Sequence, residues 1–425
     1  MGFSKVSVVG LGYIGLPTAA VIASRKCEVI GLDVTPRVVD TINKGEIHIV
    51  EPDLDMIVHA AVKEGYLRAT LVPEPADAFL VAVPTPFKAE AGKTHVPNLK
   101  YIESAARAIA PVLEKGNLVI LESTSPVGAT EQMAAWLAEA RPDLTFPQSH
   151  GEQSDIRIAH CPERVLPGHV IRELVANDRV IGGMTPACSA AACKLYEIFV
   201  EGECVVTNAR TAEMAKLTEN SFRDVNIAFA NELSLICDKL DIDVWELIEL
   251  ANRHPRVNIL KPGPGVGGHC IAVDPWFIVS ETPEQARLIR TAREVNDGKP
   301  QWVIEKVKAA VGDFLLKNPG HTAKDVTVAL FGLAFKPDID DLRESPSLAI
   351  AKQLKAELAG PTLVVEPNIH EVPEALEGCV LVAPEEGVAQ TDICVVLVGH
   401  KQFRGLDFSA KPAECVIDVV ASGRA

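Results

Sequence analysis

The segment Gly10-Leu11-Gly12-Tyr13-Ile14-Gly15 constrains the fold more than any other stretch of this chain. It follows a short β-rich run, Lys5–Val9, and opens a helical pattern over residues 17–25. Glycines at this spacing let the backbone turn tightly between strand and helix. They also let it approach a pyrophosphate and aim a helix N-terminus at the negative charge. A second β-rich run, Glu28–Leu32, leads to Asp33, 18 residues beyond Gly15, where a carboxylate can bond the 2′-hydroxyl of an adenosine ribose. Asp33 would repel a 2′-phosphate, so the expected cofactor is NAD; Arg37 keeps NADP as a lesser option.

Strand and helix patterns continue to alternate after this start, with strands expected at 77–83 and 117–122 and helices at 99–113 and 130–140. Further strand-like pieces at 157–161, 179–182 and 203–206 extend the unit to residue 207, and such alternation means a parallel sheet covered by helices. The pattern then changes. Ala209–Leu240 contains neither Gly nor Pro and has helical apolar spacing, which predicts one helix about 45 Å long. Helical blocks at 244–252 and 283–314 flank a Gly/Pro-dense loop, 255–275. After a polar linker the alternation resumes, with strands at 326–331, 362–366, 392–399 and 415–420 and a helix at 345–358. The expected fold is therefore α/β: two Rossmann-like doubly wound domains, 1–207 and 317–425, joined by a helical central domain, 208–316, that carries the long helix. The two terminal units read as distant echoes of each other.

With 425 residues, 48% of them hydrophobic and 23% charged, each unit can bury a core without staples. A net charge of −16 without a long basic run argues against nucleic acid or an anionic membrane as partner. The early apolar stretch is broken by Gly10, Gly12, Gly15 and Pro17, no cleavable signal precedes it, and a cytoplasmic protein is expected. The ten cysteines show no C-x-x-C pair and no histidine cluster at zinc spacing, so no metal is expected.

Several segments carry candidate chemistry. Val83-Pro84-Thr85-Pro86 and Ser123-Thr124-Ser125-Pro126-Val127-Gly128 lie at strand ends, where ligands of open α/β sheets bind. Thr130 is either part of that site or a helix cap. Gly263, Gly265, Gly267 and Gly268 permit close backbone approach to a ligand, and Cys270 is the one cysteine set in a glycine loop. A thiol there is a covalent nucleophile if a cation lowers its pKa, with His269 as a neighbouring activator, or else a small packed side chain. Lys216, Asn220 and Arg223 share one helix face with Glu213 a turn earlier, which is either a site or a solvated stripe. Asn226 and Asn231 extend it with uncharged polar groups. Arg164, His254 and Arg256 offer positive charge for a diphosphate, as does Lys336 in Phe331-Gly332-Leu333-Ala334-Phe335-Lys336. Arg343 and Glu344 either contribute to binding or pair locally.

Taken in order, Gly10 to Gly15, Ser123 to Gly128, Cys161-Pro162-Glu163-Arg164, Ala215 to Asn220, Gly267-Gly268-His269-Cys270 and Phe331 to Lys336 resemble the nucleotide-sugar 6-dehydrogenase family, which includes the UDP-glucose and GDP-mannose dehydrogenases. Residues 252–258 and 265–276 are similar, more narrowly, to the branch that oxidises UDP-N-acetyl-D-mannosamine for bacterial surface polysaccharides such as enterobacterial common antigen. The resemblance implies oxidation of an alcohol to a carboxylate by two hydride losses to NAD, with Cys270 holding the intermediate as thiohemiacetal and thioester. It implies Lys216 as proton shuttle or oxyanion partner, Asn220 as donor, Asp274 orienting Lys216 or the hydrolytic water, and Thr124 and Glu163 in water binding and acid–base work. NAD is then expected on Gly10, Gly12, Tyr13, Ile14, Gly15, Asp33, Thr85, Thr124, Thr130 and Arg343. The UDP-sugar is expected on Arg164, Val165, Lys216, Asn220, Arg223, His254, Arg256, Gly267, Phe335 and Lys336. Family members dimerise through the long helix, which predicts a homodimer. The segment 88–97 is longer than the resemblance leads one to expect. Three rival readings are the same chemistry on UDP-glucose or another nucleotide sugar, a non-catalytic NAD-binding sensor, and a two-electron hydroxyacid dehydrogenase.

Overall fold

The computed structural model of the protein describes residues 2–88, 95–166, 168–268 and 270–422. It separates into two compact units, Met1–Glu219 and Asn220–Ala425, divided within the long helix. In the first, the described residues form an eight-stranded sheet from β1 (Lys5–Val9), β2 (Glu28–Leu32), β3 (Leu67–Thr70), β4 (Ala78–Val81), β5 (Leu118–Leu121), β6 (Arg157–His160), β7 (Arg179–Gly183) and β8 (Cys204–Asn208), in the order β3-β2-β1-β4-β5-β6-β7-β8. Strands β1 to β6 run parallel, as the alternation predicts, with Val9 opposite both Leu32 and Val81. Because β7 pairs antiparallel with β6, through Ala159 with Gly183 and His160 with Gly182, the all-parallel expectation fails at this edge. The connection of residues 161–178 carries the helix Val170–Ala176, but β7 starts at the end of the sheet where β6 finishes and so runs back alongside it.

Each central strand is buried on both faces, and its residues sort by parity. Val6 and Val8 of β1, Leu80 of β4 and Ile120 of β5 join one apolar layer, with Leu16 and Ala20 of the helix Gly15–Ser24. Val9, Phe79, Val81 and Val119 join the other, with Ile102 and Met133. Continuous apolar runs are what parallel strands covered on both sides require.

The second unit holds a five-stranded parallel sheet of β9 (Val328–Phe331), β10 (Thr362–Val365), β11 (Val380–Leu381), β12 (Ile393–Val396) and β13 (Val416–Asp418), in the order β11-β10-β9-β12-β13. This repeats the order β3-β2-β1-β4-β5 of the first unit, so the expected echo is present. Its helices include Val244–Ala251, Asp274–Glu281, Arg287–Lys317 and Pro346–Glu357. Val303, Ile304 and Val307 of Arg287–Lys317 enter the core beneath the sheet. Pro300 lies inside this helix, where it cannot bond the Asn296 carbonyl one turn earlier. Gly265 packs there; a Cβ on it would stand 3.3 Å from Pro300 Cγ and 3.4 Å from Asn296 O. The helix Ala209–Leu240 has the predicted bounds and, at 32 residues, is about 48 Å long. Among the described residues no helix is long and apolar enough to cross a membrane.

Candidate active site

In the first unit, β1 delivers the chain into Gly10, whose φ of +91° no side chain adopts comfortably. A Cβ on Gly10 would lie 2.6 Å from the Ala82 carbonyl oxygen, and one on Gly15 would lie 1.8 Å from that of Gly10. Both glycines are therefore fixed by packing, while a Cβ on Gly12 would meet nothing within 4 Å among the described residues. No side chain caps the helix Gly15–Ser24, which follows Tyr13 and Ile14 directly; its Leu16 and Thr18 amides donate to the Gly12 and Ile14 carbonyls, each at 3.1 Å. The Asp33 carboxylate stands at the end of β2, accepting from Leu11 N at 3.0 Å and Thr35 N at 2.9 Å, which orients it while leaving lone pairs for a ribose. Beyond β4, the Thr85 hydroxyl is buried with no hydrogen-bond partner among the described residues. An open glycine, an uncapped helix start, an oriented acid and an orphaned hydroxyl together fit a dinucleotide.

Thr130 has a different task. Its hydroxyl donates to Glu213 at 2.6 Å and its N–H at 2.8 Å, while Gly128 N donates to the other oxygen of Glu213 at 2.6 Å. Glu213 on the long helix thus closes the N-terminus of the helix Ala129–Ala140, whose N-cap position is Gly128, so Thr130 is held by Glu213 and is not itself the cap. Thr124, half-buried, lies on the same loop as Ser123, whose hydroxyl accepts from Val83 N at 2.9 Å.

Glu163 is buried and pairs with Arg179 at 2.7 Å, while its other oxygen accepts from Arg164 N at 2.7 Å. Glu122 lies in the same interior, accepting from the Tyr196 hydroxyl at 2.5 Å. Burial, then the Glu163 charge, push the Glu122 carboxyl up to about 7. The Arg164 guanidinium clasps Glu219 through two contacts, at 2.6 and 3.1 Å, which holds Arg164 and half-buried Val165 against the long helix three residues after Lys216.

In the second unit the glycine loop presents Cys270, the one exposed thiol among the described residues. The Cys270 carbonyl accepts from Val273 N at 3.0 Å and Asp274 N at 2.9 Å, so the thiol sits on the turn that starts the helix Asp274–Glu281. Asp274 is buried, and Asn220 donates to its carboxylate at 2.5 Å. His269 and residues 89–94 lie outside the described residues. The loop is backed by the other expected binding segment. Cβ atoms on Gly267 would fall 2.5 Å from Glu344 O and 2.9 Å from Phe335 Cβ, and Gly268, at φ +82°, lies against the Phe335 ring. At its start, Gly263 N donates to Asn231 at 2.9 Å; the Asn231 amide donates in turn to Asn296 at 2.8 Å, and the Asn296 amide to Asp224 at 2.8 Å. Asn252 closes the loop bearing exposed His254 and Arg256 through bonds of 2.7 and 3.0 Å to Ile259. Arg223 is exposed and Lys336 half-buried. Arg343 pairs with Asp341 through bonds of 2.6 and 2.9 Å, the local pairing that its motif left open.

Comparison with known proteins then decides the lineage. Family models for the UDP-glucose/GDP-mannose dehydrogenase family match in sequence: the NAD binding domain over residues 4–200, the central domain over 210–298 and the UDP binding domain over 329–423. The chain belongs to this family. It is 65% identical over 419 residues to the UDP-N-acetyl-D-mannosamine dehydrogenase of Escherichia coli K12, spanning 98% of this chain and 99% of the relative. It is 64% identical over 416 residues to an NDP-N-acetyl-D-galactosaminuronic acid dehydrogenase of Ralstonia nicotianae, spanning 98% and 95%. Among solved structures, the UDP-D-ManNAc dehydrogenase of Pyrococcus horikoshii superposes with a TM-score of 0.85 at 35% identity, covering 98% of this chain and 99% of that one. The protein is thus an NAD-dependent oxidoreductase acting on the CH–OH group of a UDP-sugar, and the sensor reading is set aside.

Within the family's frame, the structure brings Asn220 to Asp274 and the Gly267–Gly268 turn to Phe335, two meetings across long stretches of sequence. Sequence reasoning missed Arg179 as the partner of Glu163 and Glu213 as a cap. It also missed Glu366, although an acid just past the second strand of the second sheet repeats the signal of Asp33.

Proposed function

We propose that the protein oxidises the C6 alcohol of UDP-N-acetyl-D-mannosamine to the carboxylate, with Cys270 carrying the half-oxidised sugar. The observation that carries this reading is the exposed thiol at the head of a glycine loop, one turn before a buried Asp274 that Asn220 holds. When bound, NAD accepts one hydride from C6 in each of two steps, with NADH exchanged between them. The Cys270 sulfur adds to the C6 aldehyde to give a thiohemiacetal, whose oxidation leaves a thioester. Water attacks the thioester carbon, the C–S bond breaks, and the thiol regains its proton as the acid leaves. The whole reaction converts alcohol, two NAD and one water into carboxylate, two NADH and three protons.

Lys216, four residues before Asn220 on the long helix, moves the proton of the C6 oxygen or balances its developing negative charge, and Asn220 supplies a neutral donor. Asp274 fixes the Asn220 amide, and Thr124 holds the hydrolytic water. For Glu163, the pairing with Arg179 favours action through the backbone of Arg164 and Val165 over direct proton transfer. Arg164, Arg223, His254, Arg256 and Lys336 supply the positive charge that two phosphates need on an acidic protein. Arg343 reaches the cofactor by exchanging its Asp341 partner. We further propose the division 1–207, 208–316 and 317–425, a cytoplasmic location beside the NAD pool, and a role in making surface-polysaccharide precursors such as those of enterobacterial common antigen. A homodimer through the long helix is supported by Phe222, Phe229 and Ile236, 71%, 52% and 46% exposed at seven-residue spacing.

The names of the two relatives near 65% identity share a 2-acetamido sugar, which supports an N-acetylated substrate over UDP-glucose. Mannosamine and galactosamine differ in configuration at C2 and C4, so a rate panel separates them. With saturating NAD, kcat/KM for UDP-N-acetyl-D-mannosamine is expected to exceed that for UDP-glucose and UDP-N-acetyl-D-galactosamine by roughly 100-fold. Equal or greater efficiency on either competitor would overturn the sugar assignment and leave the chemistry standing.

A further inference from the structure

Glu366 and His400 take no part in the reading above, yet they form the most fully bonded polar cluster beneath the 333–338 loop. Glu366 follows β10 and is 2% exposed; one carboxylate oxygen accepts from Leu333 N at 2.7 Å and Ala334 N at 3.2 Å and faces His400 Nε2 at 3.0 Å. Its other oxygen accepts from the backbone and side-chain amides of Asn368, at 3.1 and 3.0 Å. His400 is wholly buried, and its Nδ1 accepts from Asp338 N at 2.9 Å. With Nδ1 accepting, the ring proton sits on Nε2 and is donated to Glu366. Burial pushes the Glu366 carboxyl up, but the bonds from His400 and Leu333 outweigh it and hold the group below its ordinary value.

Comparison of the two sheets gives this cluster its meaning. Gly10 and Gly332 both have φ +91°, and each donates its N–H at 2.8 Å to the last residue of the second strand, Leu32 or Val365. The next N–H, of Leu11 or Leu333, goes to the acid that follows that strand, Asp33 or Glu366. Val81 faces Val9 as Val396 faces Phe331, so Thr85 and His400, each four residues farther on, are equivalent. The first sheet leaves the Thr85 hydroxyl without a hydrogen-bond partner among the described residues, whereas the second uses His400 to seal the acid and grip Asp338, which has φ +62°. The second switch point is thus closed by protein. Its acid and imidazole tie down the loop at both ends, and Phe335 and Lys336 lie between the two ties.

We infer that Glu366 and His400 are positioning residues for nucleotide-sugar binding, fixing the 333–338 loop so that Phe335 and Lys336 meet the UDP-sugar. This rests on the proposed role of those two residues. The test is calorimetric titration of UDP into the full-length protein and its variants, alongside KM and kcat for both substrates. H400F removes all three ring bonds, to Glu366, to Asp338 N and to the Asn368 amide at 3.1 Å, and is expected to weaken UDP binding and raise the UDP-sugar KM about ten-fold, with the NAD KM and kcat within two-fold of wild type. H400N keeps an acceptor toward Asp338 and should recover most of the lost affinity. E366Q, which cannot accept from the loop and from Asn368 at once, should reproduce the H400F loss and serves if H400F fails to fold. UDP affinity unchanged in H400F or E366Q, or an NAD KM that worsens in step, would overturn the positioning role. Failure of the wild-type protein to bind UDP would instead remove the substrate reading beneath it.

Discussion

At the scale of single residues, chemistry and burial are separable for the ten cysteines, and only Cys270 is exposed among the described ones. Burial pushes the Cys27, Cys161 and Cys394 thiols up, away from the nucleophilic thiolate. Burial acts on acids in the same sense, and at Glu122 the charge of Glu163 adds to it. The Glu122 carboxyl rises from 4.5 to about 7, so between those values the folded protein holds a proton that the unfolded chain has released. Stability from this group is therefore full below about pH 4.5 and falls as pH rises through 7. Relative to E122Q, wild-type protein is expected to lose about 3 kcal/mol of unfolding free energy between pH 4.5 and 7.5, read from urea titrations of both. A difference that stays flat with pH would refute this. Residue-level legibility was uneven for a physical reason. Cys270 and Asp33 were readable because their neighbours in sequence define them. The Glu213 bond to Thr130 crosses 83 residues and the Arg179 partner of Glu163 lies on β7, beyond an intervening helix, so neither leaves a local signal.

At the scale of elements, the long helix was legible from local chemistry, since Ala209–Leu240 holds neither Gly nor Pro; it ends before Asp241, whose φ is +55°, and Asp243 caps the next helix, Val244–Ala251. Tertiary pairing defined what local pattern did not. The antiparallel turn of β7, the four-residue β3 and the two-residue β11 depend on neighbours, and Pro300 sits within Arg287–Lys317 against its propensity. The long helix also carries the assembly prediction. Phe222, Phe229 and Ile236 expose a seven-residue apolar repeat that an isolated chain leaves wet. F229D places a charge at its centre, and sedimentation equilibrium is expected to show a dimer for wild type and at least a ten-fold weaker one for F229D. A wild-type monomer at micromolar concentration, or an F229D dimer of equal strength, would contradict the helix-mediated assembly.

For the whole molecule, two sheets of the same strand order have diverged at the same topological point. The first keeps an open glycine, an oriented acid and an orphaned hydroxyl for NAD, and the second fills that place with His400 and Glu366. The α/β class and the echo between termini were legible from strand–helix alternation and two Gly-led strand ends, Gly10 and Gly332. A net charge of −16 coexists with a doubly anionic substrate because the expected contacts concentrate Arg, His and Lys locally. The proposed mechanism lets one dinucleotide site serve two oxidations by way of one thiol. Its most direct test is to consume a limiting, known amount of UDP-N-acetyl-D-mannosamine with excess NAD and count the NADH formed. Two NADH per sugar, with the uronate as product and no free aldehyde, is the predicted result; one NADH per sugar would contradict it.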